Sequence, residues 1–243
     1  MLLRKIFSRK WWLTTLLVLL GTALCIRLGI WQLDRLEGRR TFNSQVESMR
    51  AMTPLDFNSD ELGTVEDMEW RAATVTGEYD FANQIALRNQ YNGDQYGYHL
   101  LTPLRFAGTA VLVDRGWIPA DSNSVPDDWR KYDEAGVVTV SGQIRLGQDK
   151  PGFGGVADAL PADGSPLWVW NNANVEMIAK QMPYPILNVY IQPDADADDE
   201  VPPIPFQPEV ELTEGSHFGY ALQWFTFATI LFVGYPFYLR KQE

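Results

Sequence analysis

Residues 11–26 read WWLTTLLVLLGTALCI and contain no charged side chain, and the apolar character continues beyond Arg27 as LGIW. A second uncharged segment, residues 218–239, reads FGYALQWFTFATILFVGYPFYL. A helix of about 20 residues is about 30 Å long, which matches the hydrocarbon core of a bilayer. Aromatic side chains stand near the ends of both segments, as is typical of the membrane interface. The sequence therefore predicts two transmembrane helices, residues 11–33 and 217–239.

The basic residues beside the two segments predict how the chain crosses the membrane. Positively charged side chains are enriched on the cytoplasmic side. We therefore expect residues 1–10 and 240–243 to be cytoplasmic and residues 34–216 to form an extracytoplasmic domain, in a bacterial plasma membrane. A cleaved signal peptide is disfavoured, because the first apolar stretch is longer than a signal core and no A-x-A cleavage site closes it. The basic residues that decide the orientation are Arg4, Lys5, Arg9, Lys10, Arg240 and Lys241.

The charge of the chain is unevenly distributed. The chain has 243 residues, with 20 Lys and Arg against 31 Asp and Glu, and a formal net charge of −11. Between residues 41 and 216 there are 10 basic and 28 acidic side chains, so this part of the predicted outer domain carries −18. Such an acidic surface argues against nucleic-acid binding. A single cysteine, Cys25, excludes an internal disulfide, and two histidines are too few for a structural zinc site.

The first helix is expected to continue beyond the membrane. Apolar residues at positions 33, 36, 42, 46 and 49 follow a helical spacing and predict an amphipathic stalk. The region around Pro54 is expected to end this stalk.

Between the apolar segments the pattern changes to short apolar runs separated by turn residues, which predicts β-strands. Residues 92–94, Asn-Gly-Asp, and residues 106–109 predict hairpin connections, and Asn174 is a predicted N-cap of a short helix. The predicted fold class is an α+β membrane protein, in which two transmembrane helices flank an extracytoplasmic, mainly antiparallel β domain with a few helices. That domain is either a curved sheet or a small barrel. The predicted strands are residues 71–79, 85–91, 98–102, 110–117, 137–145, 167–170 and 187–191.

Three motifs stand in a fixed order relative to the apolar segments. Residues 28–35, LGIWQLDR, follow the first segment, and residues 217–225, HFGYALQWF, open the second. Between them, residues 97–104, GYHLLTPL, precede residues 111–119, VLVDRGWIP. In this order and topology the motifs resemble the Surfeit locus protein 1 family, the assembly factors of cytochrome c oxidase, over nearly the whole chain.

The resemblance implies a function in maturing the catalytic subunit of the oxidase, with transient binding or insertion of haem a. The implied partners are that catalytic subunit, haem a synthase and the lipid bilayer, and no enzymatic activity is implied. The chain departs from the family at residues 214–216, Glu-Gly-Ser, where asparagines often precede the histidine. The positions that match the family motifs are Gly29, Trp31, Gln32 and Arg35, then Arg115, Gly116 and Trp117, then His217, Tyr220 and Trp224.

The outer ends of the two segments predict one cofactor site. If the helices pack side by side, His217 lies at the same depth as Gln32 and its neighbours. An imidazole is a suitable ligand for haem iron, and guanidinium groups suit haem propionates. Tyr220 and Trp224 follow His217 by three and seven residues, so they can share its helix face. The predicted cofactor-binding residues are His217 (as a haem iron ligand), Arg27, Trp31, Gln32, Arg35, Tyr220 and Trp224.

Several of these residues also have a purely structural interpretation. His217 could cap its helix, and Arg27 could extend to the lipid headgroups. Arg115 either pairs with a local carboxylate or docks a partner, and Gly116 either forms a bulge or ends a strand with a positive φ. His99 is expected to be a packed or surface residue.

Two other classes of function stay open from the sequence. One is a membrane-tethered enzyme, although the G-x-S-x-G, H-E-x-x-H and phosphate-loop motifs are absent from the sequence. The other is a scaffold of the cell envelope that binds no haem. A two-span sensor is disfavoured, because the predicted cytoplasmic ends are too short for an output module.

Overall fold

The computed structural model describes the chain in two compact units, Met1–Gln45 with Val210–Glu243, and Val46–Glu209. Arg4, which was one of the residues used above for orientation, lies outside the described residues. The residues that the structure describes are 5–195, 200–208 and 210–242. Within them the helices are α1 (Trp12–Arg50), α2 (Pro126–Trp129), α3 (Val175–Ala179) and α4 (His217–Lys241).

Helices α1 and α4 are long and apolar enough to cross a membrane, by length and composition. Most apolar side chains along them are exposed, including Leu17 at 60%, Leu20 at 58% and Phe232 at 62%. A helix that belongs to the core of a soluble protein would bury such side chains instead. The two predicted terminal apolar helices are therefore present. Helix α1 also continues without a break to Arg50, as predicted for the stalk.

Helices α1 and α4 run antiparallel and pack along a narrow seam. Tyr235 Oη lies 2.6 Å from Thr15 Oγ1, and the Trp11 ring meets the Tyr238 ring edge-on. A Cβ at Gly29 would lie 2.7 Å from the Phe225 ring, so the glycine permits the close approach of the helices. Along α1 the buried residues of this seam recur every three, four or seven positions, as in coiled coils, and along α4 every seven or eleven. They are Thr15, Thr22, Cys25, Gly29, Leu36 and Asn43 of α1, and Ala221, Ala228 and Leu239 of α4.

The second unit is an eight-stranded sheet in which five strands close into a small barrel. The barrel order is β2-β6-β8-β5-β4, and two residue pairs between β2 and β4, Glu78 with Arg105 and Tyr79 with Leu104, close it. Strands β1 and β7 add parallel pairs, and β5 pairs parallel with β8, whereas the other pairs are antiparallel. The strands are β1 (Leu55–Asp56), β2 (Ala72–Tyr79), β3 (Ile85–Asn92), β4 (Gln95–Phe106), β5 (Thr109–Pro119), β6 (Val137–Leu146), β7 (Val169–Trp170) and β8 (Ile186–Pro193).

Three apolar clusters hold the barrel and its flanking layers together. Alternate residues of the barrel strands, such as Val75, Val113 and Ile191, point inward and fill the barrel. A second cluster, around Trp170, packs α3 against the outer face of β3 to β5, and a third, around Trp129, packs α2. The predicted α+β class with a mainly antiparallel sheet is confirmed.

The seven predicted strands are all present, but the predicted strand 98–102 is too short. Strand β4 continues through Pro103 to Phe106, although proline usually interrupts a sheet. At this position β4 changes its partner from β3, last paired at Leu101, to β2, first paired at Leu104. The Pro103 nitrogen faces this change of partner, where no N–H is needed, so proline is tolerated. The two-residue strand β1 was not predicted.

Candidate functional site

His217 is the first residue of α4 and is half-buried against α1. Its Nδ1 lies 2.8 Å from Gln32 Oε1. Because an amide oxygen only accepts hydrogen bonds, Nδ1 donates in this contact, and in an uncharged ring Nε2 keeps its lone pair. No hydrogen bond to Nε2 is present within the described part of the chain. The ring is thus held by one nitrogen and open at the other.

Gly215 leaves space beside that open nitrogen. A Cβ at this position would lie 3.7 Å from His217 Nε2, and the residue has a φ of +66°. A positive φ favours glycine, because other residues are strained there. The Glu-Gly-Ser sequence at 214–216, in which the chain departs from the resembling family, therefore has a local reason to contain glycine.

Three side chains of α1 fix the segment that leads into His217. Arg40 binds Glu214 through two contacts of 2.7 and 3.0 Å, and this hydrogen bond lowers the pKa of the Glu214 carboxyl. Arg39 donates to the Glu211 carbonyl at 2.9 Å, and Asn43 donates to the Leu212 carbonyl at 2.8 Å. None of these three α1 residues was predicted as part of the site. Their spacing of three and four residues on a predicted amphipathic stalk was the available signal.

The predicted first-segment residues do not all meet His217. Gln32 contacts it, whereas Arg27, Trp31 and Arg35 are exposed, and among the described residues no hydrogen bond or ring contact joins them to His217. A rotation of 100° per residue places Arg27 about 140° around the helix from Gln32, and Arg35 about 60°. Of the two arginines, Arg35 is therefore the nearer to the face that carries His217.

The predicted second-segment residues lie on the side of α4 that carries His217. Trp224 is half-buried and meets the Phe227 ring edge-on, with centroids 6.0 Å apart. Tyr220 is 48% exposed at the edge of the same face. Both rings are accessible to a flat ligand that lies along this face.

An apolar groove of about 520 Å³ runs between α1 and α4. Thr22 is buried beside it, and its hydroxyl has no hydrogen-bond partner among the described residues. The groove has the dimensions of a site for a small organic ligand or a hydrocarbon chain. Its lining residues are Leu19, Thr22, Ala23, Ile26, Phe225, Ala228, Thr229, Phe232 and Val233.

The central motif lies in the barrel unit. Arg115 is buried, and its guanidinium donates to Gln84 Oε1 at 3.2 Å, to the Tyr132 carbonyl and to Glu134 at 3.1 Å. The same group lies 5.2 Å from the centre of the Tyr79 ring. Such contacts tie strand β5 to two separate loops and hold the barrel together.

Gly116 forms a bulge inside β5 and does not end the strand. Between His99 and Leu101 strand β4 advances by two residues, while β5 advances by three, from Trp117 to Asp114. The extra residue is accommodated at Gly116, whose φ is +115°. Trp117 is buried and pairs through its backbone with Ile204.

The Tyr79 hydroxyl makes the stability of the barrel sensitive to alkali. Burial raises the pKa of Tyr79 to about 12, against about 10 in an unfolded chain. The neutral hydroxyl is favoured in the fold, so its stabilisation is complete below pH 10 and is lost as the pH rises to 12. We expect the unfolding free energy to fall by about 1 kcal/mol more in the unsubstituted chain than in Tyr79→Phe between pH 8 and 11. Urea unfolding at the two pH values checks this, and equal losses would contradict it.

No group of three or more His, Cys, Asp or Glu side chains suited to a metal ion occurs among the described residues. His217 is the single histidine of the helical unit, which comprises Met1–Gln45 and Val210–Glu243, and an imidazole is a suitable ligand for a haem iron.

Comparison with known proteins places the whole arrangement in context. The family model described as the SURF1 family matches residues 19–229, which include every predicted site residue. A SURF1-like protein of Rickettsia conorii is 27% identical over 94% of this chain and 92% of its own length. Surfeit locus protein 1 of Mus musculus is 22% identical, over 86% of this chain and 70% of its own. Surfeit locus protein 1 of Arabidopsis thaliana is also 22% identical, over 93% and 77%.

Proposed function

The chain belongs to the SURF1 family, and we propose on this premise that it is an assembly factor for cytochrome c oxidase. In this proposal it assists maturation of the catalytic subunit by transient haem a binding or insertion, and it is not an enzyme. Its partners are the catalytic subunit and haem a synthase. It acts in a bacterial plasma membrane, with both termini cytoplasmic and the barrel unit outside, as the basic residues beside the helices favour.

The observation that carries the haem proposal is the state of the His217 ring. Gln32 holds Nδ1 at 2.8 Å and leaves Nε2 with a free lone pair, which is the arrangement of histidines that bind metals. Haem a, if bound, would supply an iron that a neutral imidazole nitrogen can ligate. The residues of this chain therefore fit the group: His217 is the ligand, Gln32 orients it, and Gly215 leaves its approach open.

Other side chains of the helical unit complete the proposed site. Trp224 and Tyr220 offer aromatic surface beside His217, and the apolar groove lined by Phe225 and Ile26 suits a hydrocarbon tail. Arg35 is the better placed arginine for a propionate, because Arg27 points further from the His217 face. Trp31 is exposed and stays a prediction for the same site.

The proposal is tested by purifying the full chain in detergent from cells that make haem a. Optical spectra and a pyridine-haem assay measure the haem a bound per chain. We expect His217→Ala to lower occupancy at least tenfold, because it removes the ligand. Gln32→Leu should lower it less, because the ligand remains but is no longer oriented. Ser216→Ala is the matched control, since the Ser216 side chain makes no capping hydrogen bond.

Unchanged haem a occupancy in His217→Ala would contradict the assignment of His217 as the iron ligand. Haem-free protein together with low oxidase content in a deletion strain would favour the scaffold without haem. Normal oxidase content in that strain together with a hydrolytic defect would favour the membrane-tethered enzyme.

A further inference from the structure

A buried histidine–aspartate pair lies in the barrel unit. His99 and Asp114 are 5% and 4% exposed, and His99 Nδ1 lies 3.0 Å from Asp114 Oδ2. The bulge at Gly116 turns its N–H toward Asp114 Oδ1, at 3.1 Å. His99 is packed, as expected, but its partner was not predicted.

The pair fixes which nitrogen of His99 is free. The Asp114 carboxylate accepts from Nδ1, so in an uncharged ring Nε2 is a hydrogen-bond acceptor. No described residue donates a hydrogen bond to this atom. This nitrogen is therefore available as an acceptor to water or to a ligand.

His99 and Asp114 line a cavity of about 360 Å³. Its inner wall contains Gln192, which is 5% exposed, and its outer wall contains Gln148 and Phe206, which are exposed. A cavity with a buried polar floor and an open mouth, of this volume, is typical of a site for a small molecule.

The amide side chains of this cavity all use their nitrogens on the protein. Gln148 donates to the Lys150 carbonyl at 2.9 Å, and Asn171 and Asn172 both donate to the Asp158 carboxylate. Gln90 and Gln192 likewise donate to backbone carbonyls. The oxygens of four of these five amides receive no described hydrogen bond, so they remain available as acceptors.

The charges around the cavity also favour a cation. Asp114 contributes a buried carboxylate, and Asp158 lies directly behind the two asparagines. The one cationic side chain of the lining, Arg145, already donates to Glu69 at 3.3 Å and to Gln192 Oε1 at 3.2 Å. It also stacks on the Trp70 ring at 3.7 Å. An anion would therefore meet acceptor oxygens and a negative field, whereas a compact cation with N–H groups would meet complementary partners.

We propose that this cavity binds the primary ammonium group of a small ligand, with His99 Nε2 and the amide oxygens as hydrogen-bond acceptors. An ammonium group has three N–H donors, so it can donate to several of these acceptors at once. The proposal concerns the barrel unit alone and is independent of the proposed haem site.

The test is isothermal titration calorimetry on the haem-free full chain in detergent at constant ionic strength. The probes are ethylammonium, tetramethylammonium and Nα-acetyl-lysine N-methylamide, whose side-chain ammonium group is free. Tetramethylammonium has the same charge as ethylammonium but no N–H donors. We expect ethylammonium to bind at least tenfold more tightly than tetramethylammonium. Tighter binding of the lysine derivative would assign the ammonium group to a protein side chain, and weaker binding would assign it to a free amine.

Variants locate the binding. His99→Phe should abolish it, and Gln148→Leu, which is exposed and safer for folding, should weaken it about threefold to tenfold. Gln95→Leu is the matched control on the surface of the same unit and should bind as the unsubstituted chain does. The proposal would be overturned if ethylammonium did not bind or if tetramethylammonium bound equally well. It would also be overturned if Gln148→Leu and His99→Phe both kept full affinity for ethylammonium.

Discussion

Replacing Gly116 with alanine is expected to lower the thermal midpoint of the chain by about 10 °C. Two costs combine at this position. The φ of +115° strains any residue with a Cβ, and that Cβ would overlap the Ile204 carbonyl and lie 2.6 Å from the Pro205 nitrogen. The obstacle is backbone paired with Trp117, which cannot turn aside as a side chain can. We estimate about 3–5 kcal/mol for the two costs together.

Gly136→Ala separates the two costs. Gly136 has a similar φ of +99°, but nothing lies within 4 Å of the position where its Cβ would stand. It should therefore show only the backbone strain, about 1–2 kcal/mol. Differential scanning fluorimetry of the detergent-purified variants measures both. Equal midpoints for the two variants would mean that the Ile204 segment does not hold the bulge closed.

The strands could be predicted from the sequence because the signals for them are local. Alternation of apolar residues and the glycine turns at residues 92–94 and 106–109 locate each hairpin by itself. The closure of the barrel could not be predicted, since it depends on two residue pairs between β2 and β4, such as Tyr79 with Leu104. Nothing in either strand alone distinguishes a closed barrel from a curved open sheet.

The candidate site, too, could be predicted only in part from the sequence. The proximity of His217 and Gln32 followed from the expected side-by-side packing of two apolar helices. The exposure of Arg27 did not, because the motif specifies neighbours along the chain but not which face of α1 turns toward α4. The pair of His99 and Asp114 was missed for a related reason, since the bulge that shifts the register of β5 changes which residues face each other.

The surroundings of Arg115 favour a structural role over the docking of a partner. Its side chain is 3% exposed and so cannot meet a partner protein without local opening. It lies over the Tyr79 and Phe81 rings and donates to Gln84, an acceptor that Thr102 also uses at 2.5 Å. Removal of the guanidinium would leave the Tyr132 carbonyl without this donor and would take one of two donors from Gln84 Oε1, which is a penalty in a buried site.

We therefore expect Arg115→Met to destabilise the chain by about 2–4 kcal/mol, because methionine fills the space but cannot donate. Arg115→Lys keeps the positive charge but lacks the planar guanidinium group, so it should destabilise the chain less than Arg115→Met does. Arg130→Met is the matched control, since that arginine is 76% exposed and makes only a surface ion pair with Asp127. Its effect should be below about 0.5 kcal/mol.

Measurement of two quantities decides whether Arg115 is structural or docks a partner. The thermal midpoint of each purified variant reports the barrel, and oxidase content in cells that carry the variant reports assembly. A structural arginine lowers the midpoint first and lowers oxidase content only in proportion to the protein that remains folded. A docking arginine would instead leave the midpoint of Arg115→Met at the level of Arg130→Met while oxidase content fell, and that result would reverse the assignment.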